Sequence, residues 1–457
     1  MGPCIAGMDL YRRFRWHRDP PLRELRAKAR TDRSTQSIRC NGCNQLIPAA
    51  RSPAGPPTIL ATRVRTIQLP AAEDSILNTW LPLARAHETE LFDLIEKLVL
   101  IETPTSNKAA NDRVSTLAAE LLRSLGGDVT VHPQPIYGDH VSARWTGDKS
   151  KPDKQHAFIV GHLDTVWPVG TLARMGYRER DGRMYGPGVL DMKAGIATTI
   201  VGLRILQSND LWPDRPITVL FNTDEEVGSP SSRPLVESLA TGAAYALIME
   251  PGQAGAGALK TQRKGLGEFR ISVEGRASHA GAFPERGASA IHELSQKVIE
   301  LQAMNDWPNG ITVNTGLISG GSARNTIPAY ADATIDVRVR TLAQSEQIEA
   351  QIRALKPGIK GTSLRIEGGF HRPPMPRTPE LAKLAETLIR WSEEIGFTLT
   401  EESTGGGSDA NLTAAMGVPS ADGLGSKGQN PHAEGENIEI GEQTNRLALF
   451  MQAINSL

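Results

Sequence analysis

Short apolar runs that alternate with helical stretches place the strongest constraint on the fold of this chain. Residues 156–160, 217–221 and 245–249 are apolar runs of strand length, and a helical pattern at about 193–206 separates the first two. Strands and helices that alternate in this way are typical of an open, mainly parallel sheet, whose ligands bind beyond the carboxyl ends of the strands. The sequence therefore predicts an α/β fold built on such a sheet.

After residue 262 the pattern changes to that of a smaller unit. Its strands and helices are predicted in the order β-α-β-β-α-β, at 268–274, 288–304, 311–318, 334–339, 343–355 and 363–366. This order is the split layout of a ferredoxin-like unit. Helical patterns precede and follow it, the first beginning near residue 74. We therefore expect residues 263–373 to be inserted into a larger domain formed by residues 74–262 and 374–457.

The first 73 residues differ from the rest of the chain. Residues 1–70 contain 13 Lys+Arg and 4 Asp+Glu, lack a sustained apolar periodicity and include two Pro-Pro pairs. We expect a disordered or targeting extension, or the product of an upstream translation start. Cys40 and Cys43 form an isolated pair without the second pair that a zinc ribbon needs, so a structural metal is not expected there.

The composition of the whole chain excludes two classes of protein. The chain has 50 Lys+Arg and 51 Asp+Glu, a balance that excludes a generally basic nucleic-acid-binding protein. No segment approaches the ~18 consecutive apolar residues of a membrane span. Only three cysteines are present, none of them after Cys43, which favours a reducing compartment and a cytoplasmic location. We expect neither a nucleic-acid nor a membrane partner.

Histidines and acids follow the predicted strands and recur in two glycine-rich segments. They are His162, Asp164, Asp191, Asp224–Glu226, Glu250 and His432. Each of them alone is more often solvated or hydrogen-bonded than a ligand. Carboxylates crowded at one sheet edge, however, repel one another unless a cation offsets their charge. The set therefore predicts a site for Zn²⁺ or a similar divalent ion, with a bridging carboxylate if two ions bind.

Four runs of sequence carry a resemblance to a known family. They are Gly161–Val166, Gly186–Gly195, Asp224–Ser229 and Ser278–Gly281, in this order. Together they resemble the aminoacylase/carboxypeptidase family of co-catalytic zinc metallopeptidases, and most closely its glutamate carboxypeptidase (carboxypeptidase G) branch. The resemblance implies a mainly parallel-sheet di-zinc catalytic domain, in which the inserted ferredoxin-like α+β unit serves as a lid and dimerisation domain.

The resemblance also assigns the metal ligands. It implies that Asp191 bridges two divalent ions, with His162 and Glu250 completing one site and Glu226 and His432 completing the other. Zinc is the ion that the family favours, and cobalt and manganese accept the same ligands.

Two further carboxylates are implied to be catalytic. Glu225 is the general base, which takes a proton from the attacking water and passes one to the leaving amine. Asp164 orients the imidazole of His162 through a hydrogen bond. Sequence alone does not decide which of the two adjacent glutamates is the base and which is the ligand. The family also has a cis peptide bond after the bridging aspartate, here Asp191–Met192.

Three residues of the inserted unit match positions that relatives use to hold substrate. By that resemblance, His279 and Asn325 stabilise the developing oxyanion, within a homodimer that forms through the inserted unit. Arg338 binds a terminal carboxylate through its planar fork. Alternatively, Arg338 only pairs with Asp336 or Asp332 on a strand face.

Three functions are compatible with these residues. The leading prediction is a metal-dependent hydrolase of amide bonds that releases an amino acid, a glutamate-type carboxypeptidase acting on small peptides or N-acyl amino acids. The alternative is an N-acyl-amino-acid deacylase of the acetylornithine deacetylase or desuccinylase type, and no residue distinguishes the two. A catalytically inactive binding protein is less favoured, because a degenerate site is expected to lack at least one ligand or the base.

Overall fold

The computed structural model describes residues 79–146 and 155–457. The predicted N-terminal extension, residues 1–73, lies outside these residues, as do the Cys40–Cys43 pair and the predicted start of the larger domain at residue 74. None of the described helices has both the length and the apolar character that a membrane crossing requires.

The described residues form strands and helices that we number in chain order. The strands are β1 (Asp128–His132), β2 (His140–Trp145), β3 (His156–His162), β4 (Arg178–Arg180), β5 (Arg183–Tyr185), β6 (Ile217–Asn222), β7 (Ala243–Ile248), β8 (Leu259–Arg263), β9 (Gly265–Glu274), β10 (Thr312–Gly320), β11 (Tyr330–Val339), β12 (Ser363–Arg372), β13 (Glu401–Thr404), β14 (Ser420–Asp422), β15 (Gly428–Gln429) and β16 (Asn437–Glu439). The helices are α1 (Trp80–Ala86), α2 (Glu88–Val99), α3 (Lys108–Ser124), α4 (Thr171–Met175), α5 (Ala194–Ser208), α6 (Arg233–Ala240), α7 (Ala290–Gln302), α8 (Leu342–Arg353), α9 (Pro379–Ile395), α10 (Ala410–Ala415) and α11 (Ile440–Ser456).

A mixed eight-stranded sheet forms the centre of the larger part, in the order β1-β2-β6-β3-β7-β14-β8-β13. Its four central strands, β6, β3, β7 and β14, run parallel to one another. Every residue of β3 and β6 is buried, as expected of apolar strands covered by helices on both faces of a sheet. Parallel strands end at the same edge, so the residues that follow β3, β6 and β7 meet there. This arrangement confirms the predicted α/β fold class.

The inserted unit has its own antiparallel sheet, in the order β10-β11-β9-β12. Apolar residues of this sheet and of helices α7 and α8 form a separate core that includes Phe269, Leu294, Ile335 and Ile348. The chain order β-α-β-β-α-β confirms the ferredoxin-like expectation. The domain boundaries given above remain predictions.

Two features of the architecture differ from the expectation. The helical pattern near the start of the described chain is broken at His87, which separates α1 from α2. A third sheet, β15-β16-β5-β4, is built from strands of two or three residues, which are too short to show an alternating pattern. It positions the site, because the pairing of β16 with β5 brings the loop containing His432 next to the loop containing Asp191.

Candidate metal centre

Five of the predicted side chains lie together in two groups that share one carboxylate. Nε2 of His162 lies 3.0 Å from Oδ1 of Asp191 and 3.5 Å from Oε1 of Glu250. On the other side, Nε2 of His432 lies 3.3 Å from Oδ2 of Asp191 and 3.2 Å from Oε2 of Glu226. The two oxygens of Asp191 therefore face different groups of ligand atoms, and within each group these atoms lie within 4.8 Å of one another.

Each of these side chains comes from a different segment of the chain. His162 is the last residue of β3, Glu226 lies in a short turn after β6, and Glu250 follows β7 by two residues. Asp191 lies in the loop that precedes α5, and its peptide bond to Met192 is cis, which confirms that expectation. His432 adopts a left-handed backbone conformation (φ 59°) between β15 and β16. The sheet edge thus gathers residues that are far apart in sequence.

The carboxylates and imidazoles of the cluster shift one another's pKa values. Burial and the neighbouring Asp191 raise the pKa of Glu226 to about 7. Hydrogen bonds that the imidazole of His432 donates to Asp191 and Glu226 raise the pKa of His432 to about 11. Burial opposes ionisation of Asp191, yet hydrogen bonds from His162 and His432 hold the pKa of Asp191 below its ordinary value. The carboxylates therefore draw protons onto the imidazoles that face them.

The donor set fits divalent cations. Imidazole nitrogens and carboxylate oxygens are the ligand types of Zn²⁺ and related ions. Oε1 of Glu226 is buried and accepts no hydrogen bond from the described residues, so it is available to a cation. A bound cation would also neutralise the carboxylates that otherwise share protons with His162 and His432.

Asp164 contacts both His162 and the turn that carries the two glutamates. The nearest acceptor to Nδ1 of His162 is the backbone oxygen of Asp164 at 2.9 Å, whereas its carboxylate Oδ1 is 3.5 Å away. The same carboxylate accepts the hydroxyl of Thr105 at 2.7 Å and the backbone N–H groups of Glu225 and Glu226 at 3.3 Å each. Asp164 is therefore placed to fix both the imidazole and the glutamate turn.

Glu225 lies beside the cluster and outside both groups of ligand atoms. Its Oε1 accepts a hydrogen bond of 2.9 Å from Nη2 of Arg372. Burial raises the pKa of Glu225 well above its ordinary value, and Arg372 opposes that rise. Sequence reasoning missed Arg372, which lies six residues beyond the predicted strand 363–366; its one signal was its position directly before Pro373-Pro374.

Glu436 is a second residue that sequence reasoning missed. Its side chain is fully buried, and one oxygen accepts Nε1–H of Trp167 at 2.6 Å and the N–H of Gly188 at 2.9 Å. The other oxygen accepts the N–H groups of Leu190 and Asp191 at 2.9 and 3.0 Å. Burial raises the pKa of Glu436 to about 6, which still leaves it ionised at neutral pH. Its carboxylate therefore fixes the backbone around Asp191.

Glu436→Gln is expected to lower the free energy of unfolding by about 3 kcal/mol, because an amide cannot accept all four hydrogen bonds. It is also expected to weaken metal binding by roughly 10–100-fold, as the loss of a group that orients a ligand does. Thermal unfolding and competition with a chelating dye measure the two effects. Glu439→Gln, which removes a partly exposed partner of Arg183, is the matched control. Wild-type metal affinity in Glu436→Gln would contradict this role.

The residues predicted to hold substrate lie in the inserted unit. Among the described residues, no hydrogen bond or ion pair joins His279 or Asn325 to the metal cluster. Nδ1 of His279 accepts the N–H groups of Gly281 and Ala282, which leaves Nε2 to carry the proton of the neutral imidazole. The N–H of Ala280 donates to the backbone oxygen of Asn325, so the two loops lie side by side.

Arg338 has partners within the protein. Its Nε and Nη2 donate to the carboxylate of Asp336 at 3.0–3.2 Å, and Nη1 donates to the backbone oxygen of Gly405 at 2.9 Å. The pairing with Asp336 is the alternative that the sequence left open. The contact with Gly405 also joins the inserted unit to the glycine-rich loop before α10.

A carboxylate shared between two groups of ligands, with a separate carboxyl group beside it, is the arrangement of a metal-dependent hydrolase. Comparison with known proteins agrees with this class. Residues 158–456 match the sequence profile of Peptidase family M20/M25/M40. The chain therefore belongs to this family, and it is a metal-dependent amide hydrolase.

Individual relatives share most of their length with this chain. It is 31% identical to carboxypeptidase G2 of a Pseudomonas species over 389 residues, which cover 83% of this chain and 92% of that protein. It is 28% identical to succinyl-diaminopimelate desuccinylase of Burkholderia lata over 76% of this chain and 93% of that protein. Aminopeptidase PepT of Bacillus cereus has the same fold, with a TM-score of 0.67, 20% identity, and coverage of 80% of this chain and 98% of that chain.

Proposed function

We propose that this protein is a glutamate-type carboxypeptidase that binds two divalent ions, zinc by preference, and releases an amino acid from small peptides or N-acyl amino acids. The observation that carries the proposal is the orientation of Asp191, whose two oxygens face two separate groups of ligands. The similarity to carboxypeptidase G2 supports the choice of substrate class. A cytoplasmic location remains a prediction from the cysteine content.

The proposed mechanism assigns separate metal-binding and general-base roles to residues of this chain. His162 and Glu250 would hold one ion, Glu226 and His432 would hold the other, and Asp191 would contribute to both. When bound, such ions polarise an amide carbonyl and lower the pKa of water. Glu225 acts as the general base, taking a proton from water and delivering one to the departing amine. Its position next to the ligands and outside both groups supports this role.

His279, Asn325 and Arg338 are proposed to hold the substrate. The hydrogen bonds at Nδ1 of His279 support an oxyanion role, because they leave an N–H at Nε2 to donate. Arg338 can bind a substrate carboxylate only in competition with Asp336, which now occupies its fork.

A homodimer through the inserted unit is the proposed assembly. β10 forms an edge of the inserted sheet, and it exposes 69% of Leu317 and 60% of Ile318. An exposed apolar edge strand is a template for pairing with a second chain. Such a dimer is also the proposed route by which His279 and Asn325 reach a metal centre, that of the partner subunit.

Ile318→Lys is expected to weaken this dimer by roughly 100-fold, as the loss of a central apolar contact at an interface does. Light scattering after size-exclusion chromatography measures the change in mass at micromolar concentration. Met416→Lys, which places the same charge at an exposed apolar position of the larger domain, is the matched control. A dimer that survives Ile318→Lys unchanged would place the interface elsewhere.

The substrate class is tested with a panel of amides. Zinc-loaded protein is incubated with N-acyl-glutamates, N-acetyl-ornithine and N-succinyl-diaminopimelate, and the released amines are quantified. The proposal predicts kcat/KM at least about tenfold higher for the N-acyl-glutamates, a difference of about 1.4 kcal/mol in transition-state binding. Preference for either of the other two substrates would favour the deacylase alternative, which the desuccinylase relatives keep open.

A further inference from the structure

Arg372 connects the inserted unit to Glu225. It is the last residue of β12, pairs in register with Leu266 of β9, and is only 2% exposed. Its Nη2 donates to Oε1 of Glu225 at 2.9 Å, to the backbone oxygen of Glu225 at 3.1 Å and to Oγ of Ser229 at 2.9 Å. One guanidinium nitrogen thus binds both the side-chain carboxylate and the backbone oxygen of Glu225.

The other end of the guanidinium is held by a buried carboxylate. Nη1 of Arg372 lies 3.2 Å from Oδ1 of Asp409. Asp409 accepts further hydrogen bonds from Nδ2 of Asn222 at 2.6 Å and from Oγ of Ser229 at 2.5 Å. The arginine therefore lies between a carboxylate that is fixed by the surrounding protein and the carboxylate of Glu225.

We propose that Arg372 is the positioning residue for Glu225, holding Oε1 of its carboxylate so that Oε2 faces the attacking water; this inference rests on the proposed function. Among the described residues, Oε2 of Glu225 accepts no hydrogen bond, so it is the oxygen left available to a water molecule. A planar guanidinium anchored on Asp409 loses little conformational freedom when it binds a second carboxylate. It therefore fixes the orientation of Glu225 better than a flexible lysine can.

Because Arg372 belongs to β12, its contact with Glu225 also links the inserted unit to the larger domain. β12 lies in the sheet of the inserted unit, and Pro373-Pro374 follow it at once on the way back to the larger domain. A shift of the inserted unit against the central sheet would displace the guanidinium from Glu225. A strand of the inserted unit therefore supplies the side chain that holds Glu225.

The test uses the full chain, loaded with zinc, and the variants Arg372→Ala and Arg372→Lys. We expect kcat to fall by roughly 100-fold in Arg372→Ala, the usual loss when a catalytic group is misplaced by about 1 Å, with KM changed by less than about threefold. Metal content is expected to stay at the wild-type value. Added guanidinium is expected to restore at least about tenfold of the lost kcat in Arg372→Ala, because it refills the site between the two carboxylates.

Arg377→Ala is the matched control, since Arg377 pairs with Glu401 at the surface five residues further along. It is expected to keep wild-type kcat and to show no response to guanidinium.

Wild-type kcat in folded, metal-loaded Arg372→Ala, or a loss without rescue, would overturn the inference. If Arg372→Ala does not fold, Arg372→Lys decides: an unchanged kcat overturns the inference, and a reduced kcat at normal KM and metal content supports it. Failure of the wild-type protein to cleave any amide would instead overturn the proposed function.

Discussion

Glu225→Gln is expected to lower kcat by roughly 10³-fold or more and to leave the metal content unchanged, because general-base catalysis contributes about 10²–10⁴-fold. The amide keeps the shape of the carboxyl group and can still accept the hydrogen bond from Arg372 through its oxygen. It cannot take a proton from water at neutral pH. Single-turnover kinetics and elemental analysis on the same preparation separate loss of the base from loss of the metal.

The adjacent Glu226 provides a direct comparison for this prediction, because the two glutamates have different proposed roles. Glu226→Gln is expected to lose metal, since Glu226 lies in a group of ligand atoms and Glu225 does not. Glu237→Gln, which removes a surface partner of Arg233, is the matched control and is expected to be fully active. If Glu225→Gln loses metal but retains a residual rate while Glu226→Gln keeps its metal, the two roles have been assigned in the wrong order.

Asp191→Asn is expected to abolish the binding of both ions. A carboxamide has one acceptor oxygen and no charge, whereas both oxygens of Asp191 face ligand groups. Loss of the several kcal/mol of charge stabilisation that such ions supply corresponds to a fall in kcat of roughly 10³-fold or more. Metal analysis after dialysis against a weak chelator measures the binding, and the amide-release assay measures the rate.

His432→Ala gives the matched comparison for Asp191→Asn. His432 is half-exposed and belongs to only one of the two groups, so its removal is expected to weaken binding at that group alone. The variant should therefore keep about one ion per chain under conditions in which Asp191→Asn keeps none. Retention of two ions by Asp191→Asn would contradict a shared ligand.

The sequence predicts the sheet edge well because each ligand there follows a strand of ordinary length. The apolar runs that became β3, β6 and β7 end next to His162, the Glu225–Glu226 pair and Glu250, and parallel strands leave few alternatives for where these residues meet. Asp191 and His432 were candidate ligands from the sequence, but the bridging role of Asp191 and its pairing with His432 came only from the resemblance. Nothing in their local sequence indicates that they face each other.

Arg372, which holds Glu225, and Glu436, which holds the backbone around Asp191, could not be found from local sequence. Arg372 and Glu225 are 147 residues apart, and Glu436 and Asp191 are 245 residues apart. Neither contact leaves a periodic signal, because each depends on how the loops and the inserted sheet pack in three dimensions. The backbone contact of Asp164 with His162 cannot be inferred from sequence for a different reason, since a carbonyl oxygen is present at every residue.

By contrast, the pairing of Arg338 with Asp336 was foreseeable, because residues two apart in a strand share a face.

Elemental analysis of purified, active protein during stepwise removal of metal by a chelator tests the central claim most directly. We predict two divalent ions per chain, a fall in amide hydrolysis that follows their loss, and recovery when Zn²⁺ is added back. Active protein that contains no divalent ion, and whose turnover a strong chelator leaves unchanged, would contradict the account.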